Sequence, residues 1–138
     1  MKKGAQEERD DVIHLNEASG PIFKIRNDPR MTKIGYLLRR SSLDELPQFI
    51  NVLKGEMSLV GPRPPIPEEV EEYTSEQLKR LAVTPGISCL WQVLGRSELT
   101  FDDQVYLDSL YIDNQSVFLD LAVILLTIPA VLTRRGAF

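Results

Sequence analysis

The sequence is poor in the side chains that most often build catalytic and metal centres. It has one cysteine, Cys89, and one histidine, His14. A lone cysteine can form neither an internal disulfide nor, by itself, a zinc site. His14 lies in a polar stretch without the partners of a catalytic triad, which indicates an ordinary surface residue. The chemistry of this protein is therefore expected to depend on carboxylates and arginines.

Long hydrophobic runs and an excess of positive charge are also missing. A membrane-spanning helix needs roughly 20 apolar residues, and the longest run, 121–132, is interrupted by Thr127 and Pro129. That run predicts either a buried helix or a helix lying in a membrane interface. Residues 1–16 lack the apolar centre of a signal peptide. The net charge of −4 is opposite to that of most nucleic-acid binders, so no nucleic-acid partner is expected.

What is present indicates one folded domain. The chain has 138 residues, of which 43% are hydrophobic and 26% charged, a composition typical of a globular protein. We expect residues 1–19 to form a polar helix or tail and residues 20–138 to form the domain. The predicted fold class is α+β and mainly helical, with short helices, one or two small β-hairpins and amphipathic helices at a membrane interface.

Local patterns place the elements of this domain. Helical spacing of apolar residues predicts a helix over 32–40, and short apolar runs at 21–25 and 87–93 predict strands. Pairs at capping-box spacing mark three further helix starts: Ser42 with Glu45, Thr74 with Gln77, and Thr100 with Asp103. Ser116 is a candidate cap for the last helix, and Pro129 is expected to kink or end it.

Two adjacent acids stand out at the second predicted helix start. Asp44 and Glu45 would lie in its first turn, where the helix dipole favours an ionised carboxylate and binds phosphate groups. Arg39, Arg63 and Arg96 lie near predicted element ends, and arginine binds phosphates through paired hydrogen bonds. From these residues alone, an active site and an ordinary set of helix caps and surface ion pairs both remain open.

The longer motifs resemble a known family. The stretch 39–48, RRSSLDELPQ, is similar to the signature of the monotopic phosphoglycosyl transferases, or bacterial sugar transferases. The stretches 58–64, 85–87, 91–93 and 95–96, and the pair Asp108 and Tyr111, also fit that family in order and spacing. The resemblance covers roughly residues 20–138. The segment 16–25 is similar to the exopolysaccharide-type members, which use UDP-glucose or UDP-galactose.

The resemblance implies a two-step reaction. Asp44 would attack the β-phosphate of a UDP-sugar, UMP would leave, and polyprenyl phosphate would then take the sugar phosphate from the enzyme. Mg²⁺ is the implied cofactor, held near Asp44, and Glu45 would support the metal or the geometry of the nucleophile. The implied substrate-binding residues are the following: Arg39, Arg63, Arg80, Gln92, Arg96 and Asp108. Structural alternatives, a salt bridge or a fold-internal hydrogen bond, stay open for each of them.

The resemblance also implies a cellular setting. Family members act at the cytoplasmic face of the bacterial inner membrane, so a membrane surface is an expected partner, and Arg134 and Arg135 could meet anionic headgroups. A homo-oligomer remains open. The family pattern normally begins earlier, with a membrane-embedded helix. We therefore expect this chain to be a part of a longer protein. Whether this part catalyses the reaction alone is left open. Cys89 and Leu94 replace the Gly and the small polar residue that are common in the family.

The alternative to an enzyme is a non-catalytic module that binds a UDP-sugar or a protein.

Overall fold

The computed structural model describes residues 1–2, 4–5, 8 and 10–133, and it confirms a mainly helical α+β fold. Within these residues the α-helices are α1 (Lys33–Arg40), α2 (Gln48–Leu53), α3 (Pro67–Glu71), α4 (Leu90–Leu94), α5 (Phe101–Asp113) and α6 (Val117–Thr133). The strands are β1 (Ser58–Val60) and β2 (Gly86–Ser88). Short 3₁₀ helices cover Asp10–Leu15, Leu43–Glu45, Gln77–Ala82 and Arg96–Glu98. Arg134 and Arg135 lie outside the described residues.

The two strands form a parallel pair, so the prediction of β-hairpins is wrong. Ser58 pairs with Gly86 and Val60 with Ser88. Parallel strands need a crossover connection, and here α3 and the 3₁₀ helix Gln77–Ala82 lie within it. The backbones approach so closely that a Cβ on Gly86 would overlap the backbone of Gly61. The pair therefore depends on glycine at position 86.

The second strand is also shorter than the predicted 87–93. It ends at Ser88, and α4 begins at Leu90. The side-chain oxygen of Gln92 accepts hydrogen bonds from the backbone N–H and the thiol of Cys89, at 3.1 and 3.2 Å. This capping arrangement turns an apolar run that is compatible with a strand into a short helix.

The hydrophobic core lies where α4, α5 and α6 meet β1. Val60, Tyr111 and Val123 are its buried centre, and Leu90 and Leu119 pack against them. The Tyr111 hydroxyl bonds to Asp120 Oδ1 at 2.7 Å, which links the end of α5 to the start of α6. These contacts fix the two strand ends and α4 relative to one another.

The predicted strand at 21–25 is a loop in the structure. The Asn16 side chain accepts from the backbone N–H of Lys24 at 2.8 Å and donates to the carbonyl of Ile22 at 3.0 Å. One carboxamide thus satisfies backbone groups that a partner strand would otherwise pair. The Ser19 hydroxyl accepts from the backbone N–H of Phe101 at 2.8 Å and ties this loop to the start of α5.

Most predicted caps are confirmed. Ser116 accepts from the backbone N–H of Leu119 at the start of α6. Thr32, for which the sequence predicted no cap, accepts from the backbone N–H of Gly35 at the start of α1. The reciprocal hydrogen bonds of the Thr100–Asp103 and Thr74–Gln77 pairs are both present. Helix α6 does not end at Pro129 but continues to Thr133.

The predicted cap at Ser42 is wrong. Ser42 has a left-handed backbone (φ 56°) and makes no capping hydrogen bond with its side chain. The 3₁₀ helix Leu43–Glu45 follows, and α2 begins only after Pro47. Because Pro47 has no N–H, it cannot hydrogen-bond to the carbonyl of Leu43, which disfavours an α-helix through this turn. The two acids therefore lie in a tight turn between α1 and α2.

None of the helices in the described part of the chain combines the length and the apolar character needed to cross a bilayer. Helix α6 comes nearest, with 17 residues. Val123 in its middle is fully buried, whereas Phe118 and Leu132 are 86% and 75% exposed. The helix therefore has a core side, as the buried-helix alternative predicts, and an exposed apolar side, whose contact with a membrane interface stays a prediction.

Candidate active site

A cleft of about 530 Å³ opens beside the two acids. Its walls come from the loop 17–24, the turn after α1, the loop after β1, and α4 with the 3₁₀ helix that follows it. Seven of the eight predicted site residues line it: Arg39, Asp44, Glu45, Arg63, Arg80, Gln92 and Arg96. Residues far apart in the sequence are thus brought to one space, which linear spacing does not reveal.

Asp44 is the more accessible of the two adjacent acids. Its side chain is 41% exposed, and its Oδ2 lies 4.0 Å from Nε of Arg39 at the end of α1. A pair at this distance and exposure contributes little to stability, roughly 0–1 kcal/mol. The carboxylate is therefore available to a ligand in the cleft.

Glu45 has a different environment from its neighbour. Burial raises the pKa of the Glu45 carboxyl, Arg63 and Arg96 act to lower it, and the Asp44 charge raises it. The predicted stabilisation of this carboxylate by an α-helix N-terminus is absent, because no α-helix begins at this turn. Adjacent carboxylates in unlike environments can serve unlike roles.

Arg63 and Arg96 are presented by two constrained segments. Arg63 is exposed in the loop after β1 and follows Pro62, which is fully buried. Arg96 adopts a left-handed backbone (φ 50°), and its Nε donates to the Gln92 carbonyl at 3.3 Å. A non-glycine residue with positive φ costs free energy and is often found at a functional site. The charges of both arginines act on the pKa of Glu45, so both lie close to the two adjacent acids.

Arg80 and Asp108 form a buried ion pair. Nε and Nη2 of Arg80 both lie 2.7 Å from Asp108 Oδ2. The guanidinium also donates to the Tyr73 hydroxyl at 3.2 Å and lies 5.4 Å from the ring centre of Phe101. Asp108 is 1% exposed and does not line the cleft. Its geometry matches the fold-internal alternative, in which it positions Arg80.

The buried pair has a polar neighbour in Trp91. Burial raises the pKa of Asp108 to about 6, whereas Arg80 and the Trp91 indole act to lower it. The Trp91 N–H and Asp108 Oδ1 are nevertheless both buried without a hydrogen bond of good geometry. Trp91 is 8% exposed and therefore buried in the core.

The two departures from the family pattern have different settings. Cys89 is buried, and burial raises the pKa of its thiol well above the usual range. A small thiol therefore fits this site as an unreactive packing residue. Leu94 is 61% exposed at the end of α4. Nothing in the structure explains a leucine there.

Lys24 is a cleft residue that the sequence did not reveal as functional. It is half-buried among the cleft-lining residues. Burial, together with the charges of Arg63, Arg39 and Arg96, lowers the pKa of Lys24 to about 8, while Glu17 acts to raise it. The only sequence signal is a lysine between apolar Phe23 and Ile25, and that pattern suggested a strand.

The acids of the cleft suit a metal that is shared with a ligand. In the described part of the chain no group of three His, Cys, Asp or Glu side chains is arranged to hold an ion. Mg²⁺ typically binds through one or two carboxylates together with substrate phosphates. Asp44, with Glu45 beside it, fits that donor set.

Comparison with known proteins identifies relatives along the whole chain. The family model described as "Bacterial sugar transferase" matches residues 1–134. "Galactosyl transferase CpsE" of Streptococcus agalactiae serotype III is 49% identical over 138 residues, which cover 99% of this chain and 31% of that protein. "UDP-galactose-lipid carrier transferase" of Erwinia amylovora is 49% identical over 84% of this chain and 24% of that protein.

A third relative is similar to the same degree. "Undecaprenyl-phosphate galactose phosphotransferase" of Salmonella typhimurium is 48% identical over 84% of this chain and 24% of that protein. The chain thus spans between a quarter and a third of the length of these relatives. With a family match over nearly all of its length and identities near one half, the chain belongs to the bacterial sugar transferase family.

Proposed function

We propose that this chain is the catalytic part of an enzyme that transfers a sugar 1-phosphate from a UDP-sugar to polyprenyl phosphate and releases UMP. The observation that carries the proposal is the cleft, in which an accessible carboxylate, Asp44, lies among Arg39, Arg63 and Arg96. Arginines around a carboxylate suit phosphoryl transfer, which depends mainly on positioning and charge neutralisation. The printed names of the relatives support a UDP-galactose donor and an undecaprenyl phosphate acceptor. UDP-glucose is the second candidate donor.

The first step uses Asp44 as nucleophile. A carboxylate oxygen of Asp44 attacks the β-phosphorus of the UDP-sugar, the bond from that phosphorus to the bridging oxygen breaks, and UMP leaves. The product is an aspartyl phosphosugar, in keeping with the aspartyl-phosphate chemistry of other enzymes. Asp44 suits this role because it is exposed to the cleft and only loosely paired.

In the second step an oxygen of polyprenyl phosphate attacks the same phosphorus. The acyl phosphate bond breaks, the sugar diphospholipid forms, and the Asp44 carboxylate is regenerated. Arg63 and Arg96 neutralise phosphate charge in both steps, since they line the cleft close to Glu45. The lipid product is one that could begin the assembly of an exopolysaccharide or a related glycan.

Glu45 and Arg80 act as supports in this mechanism. Glu45, whose raised pKa follows from burial, orients the nucleophile or the metal from the inner side of the turn. Arg80 is held rigidly by Asp108 and Tyr73 at the wall of the cleft. Bound Mg²⁺ would be held by Asp44, with Glu45 beside it, and would supply charge neutralisation at the diphosphate.

We also propose that the site works at the cytoplasmic face of the inner membrane. The turn that holds Asp44 is flanked by exposed apolar side chains on α1 and α2, including Ile34, Leu37, Phe49 and Leu53. Exposed apolar groups on this scale mark an interaction surface. Contact with lipid there would bring a polyprenyl phosphate to the nucleophile.

The test is UMP release by a membrane-complete protein, in which this chain carries a membrane segment of the family and is placed in nanodiscs. UDP-galactose, UDP-glucose and other UDP-sugars are supplied with polyprenyl phosphate and Mg²⁺. We expect release with one donor, its loss in EDTA, and a decrease of roughly a hundredfold or more in Asp44→Asn, because the amide is not a nucleophile. Asp113→Asn, which changes an exposed acid at the end of α5, is the matched control and should keep normal turnover.

Two results would contradict the proposal. Near-normal turnover of Asp44→Asn excludes Asp44 as the nucleophile. Binding of a UDP-sugar by folded protein without UMP release from any donor would favour the binding-module alternative.

A further inference from the structure

The loop 17–24, which belongs to the segment that is similar to the exopolysaccharide-type members, brings a lysine into the cleft. The Lys24 backbone is fixed on both sides. Its N–H donates to Asn16 Oδ1 at 2.8 Å, and its carbonyl accepts from the backbone N–H of Glu17 at 2.8 Å. The next residue, Ile25, is 6% exposed and anchors the segment. The side chain is therefore presented to the cleft by a rigid backbone, a property of binding residues.

The surroundings of Lys24 are unfavourable for an ammonium group. The charges that act on it are three arginines, Arg63, Arg39 and Arg96, and one acid, Glu17. Burial and like charges both disfavour a protonated lysine. Lys24, Arg39, Arg63 and Arg96 thus bring four cations to one cleft, which acidic side chains of the protein also line. An anion in the cleft would relieve their repulsion.

The other charged groups of the cleft lie on several elements. Asp44 and Glu45 come from the turn after α1, and neither is among the groups that shift the pKa of Lys24. The remaining titratable groups that line the cleft are Glu69, Tyr73, Arg80 and Glu98. The field at Lys24 is therefore set mainly by the arginines proposed above to bind phosphate.

We propose that Lys24 is a further anion-binding residue of the donor site, whose ammonium group binds a phosphate oxygen of the nucleotide sugar together with the cleft arginines. The identity of the anion rests on the proposed function. The presence of an anion site does not rest on the proposed function, because inorganic diphosphate offers the same phosphate oxygens to Lys24. Binding of either anion favours the protonated lysine and raises its pKa.

The experiment measures binding of UDP-galactose and of inorganic diphosphate to the 138-residue chain by calorimetry at pH 7. Lys24→Met should weaken both by about tenfold, because a charge-assisted hydrogen bond is lost. Lys24→Arg should keep most of the affinity. Lys54→Met is the matched control, since Lys54 is exposed after α2 and lies outside the cleft lining, and it should bind as the wild type does.

A pH series separates binding from a structural role. The wild type should lose affinity for UDP-galactose between pH 7 and pH 9 by about tenfold, because Lys24, with a pKa of about 8 in the free protein, gives up its proton and its charge. Lys24→Arg and Lys24→Met should show no such loss. A structural lysine would leave the three pH profiles parallel.

Wild-type affinity in Lys24→Met for both anions would overturn the proposal, as would a wild-type chain that binds neither. Weaker binding of both anions to Lys24→Met, with no UMP release from the membrane-complete protein, would overturn the proposed function and leave the Lys24 assignment standing.

Discussion

At the scale of single residues, the two ion pairs near the cleft differ in burial and therefore in role. The Arg80–Asp108 side chains are 4% and 1% exposed, whereas those of Arg39 and Asp44 are 39% and 41% exposed. A buried charge that loses its partner is costly, whereas an exposed one is resolvated by water. Asp108 is thus expected to matter for folding, and Arg39 for ligand binding.

Replacing Asp108 by alanine should lower the free energy of unfolding by about 3–5 kcal/mol, because Arg80 would remain buried without its counter-ion. Urea denaturation followed by circular dichroism measures this. Arg39→Met, which breaks the exposed pair, should change the unfolding free energy by no more than about 1 kcal/mol. Equal effects of the two substitutions would show that the Arg80 guanidinium reaches water more readily than its burial indicates.

Single residues also show where a local pattern misleads. The Ser42–Glu45 spacing is as good a capping box as Thr100–Asp103, but only the second pair forms one. The difference lies in Pro47, which disfavours a helix that starts at Ser42, and in the left-handed backbone of Ser42 itself. A spacing rule cannot detect a residue two positions further on that removes the helix it would cap.

At the scale of elements, α5 connects the cleft to the core. Thr100 and Asp103 cap its start, where the Ser19 hydroxyl also reaches the Phe101 N–H. Asp108 lies in its middle and Tyr111 near its end. One helix thus contacts the loop 17–24, the Arg80–Asp108 pair and the core. The cap of α5 should therefore affect both the free energy of unfolding and the positions of the cleft residues.

Thr100→Ala should lower the free energy of unfolding by about 1 kcal/mol, since it removes the capping oxygen that accepts from the Asp103 N–H at 3.2 Å. Chemical denaturation provides the measurement. Thr133→Ala makes the same chemical change at the exposed end of α6 and should stay within about 0.5 kcal/mol of the wild type. If Thr100→Ala also changed the free energy of unfolding by less than about 0.5 kcal/mol, water would hydrogen-bond to the free N–H groups of the first turn of α5 as well as threonine does.

At the scale of the whole molecule, many large apolar side chains remain exposed on α1, α2 and α6. Leu53 is 88% exposed and Phe118 86% exposed. Side chains of this kind gain about 1.5–3 kcal/mol each when they leave water. Such a surface is consistent with the proposed lipid contact. It is a property of the whole fold, because three helices together supply it.

The chain should therefore bind to vesicles that contain anionic lipid, as measured by co-sedimentation. Leu53→Glu and Phe118→Glu should each lower the bound fraction, with a shift in the lipid dependence of about tenfold or more. Tyr106→Ser is the matched control, because Tyr106 is 67% exposed on α5, outside these three helices, and it should bind as the wild type does. A wild-type chain that stays in the supernatant would contradict a lipid-facing role for this surface.

The sequence by itself determined the class of fold, most helix starts and the residues of the candidate site. The helix starts depend on local hydrogen bonds, because each capping side chain bonds to a backbone N–H within four residues of itself. The capping residues are Thr32, Thr74, Thr100 and Ser116. The candidate site residues were chosen from the resemblance to the family, because side-chain chemistry alone left ordinary helix caps and ion pairs open, and their roles stay predictions.

Only the tertiary structure decided how those residues are used. The parallel pairing of β1 with β2, the loop held by Asn16, and the burial of Asp108 depend on contacts between distant segments, which no local pattern encodes. The same holds for Lys24, whose sequence neighbours suggest a strand. Its role follows from a cleft that joins residue 24 to arginines 39, 63 and 96, because electrostatic interaction depends on distance in space and not along the chain.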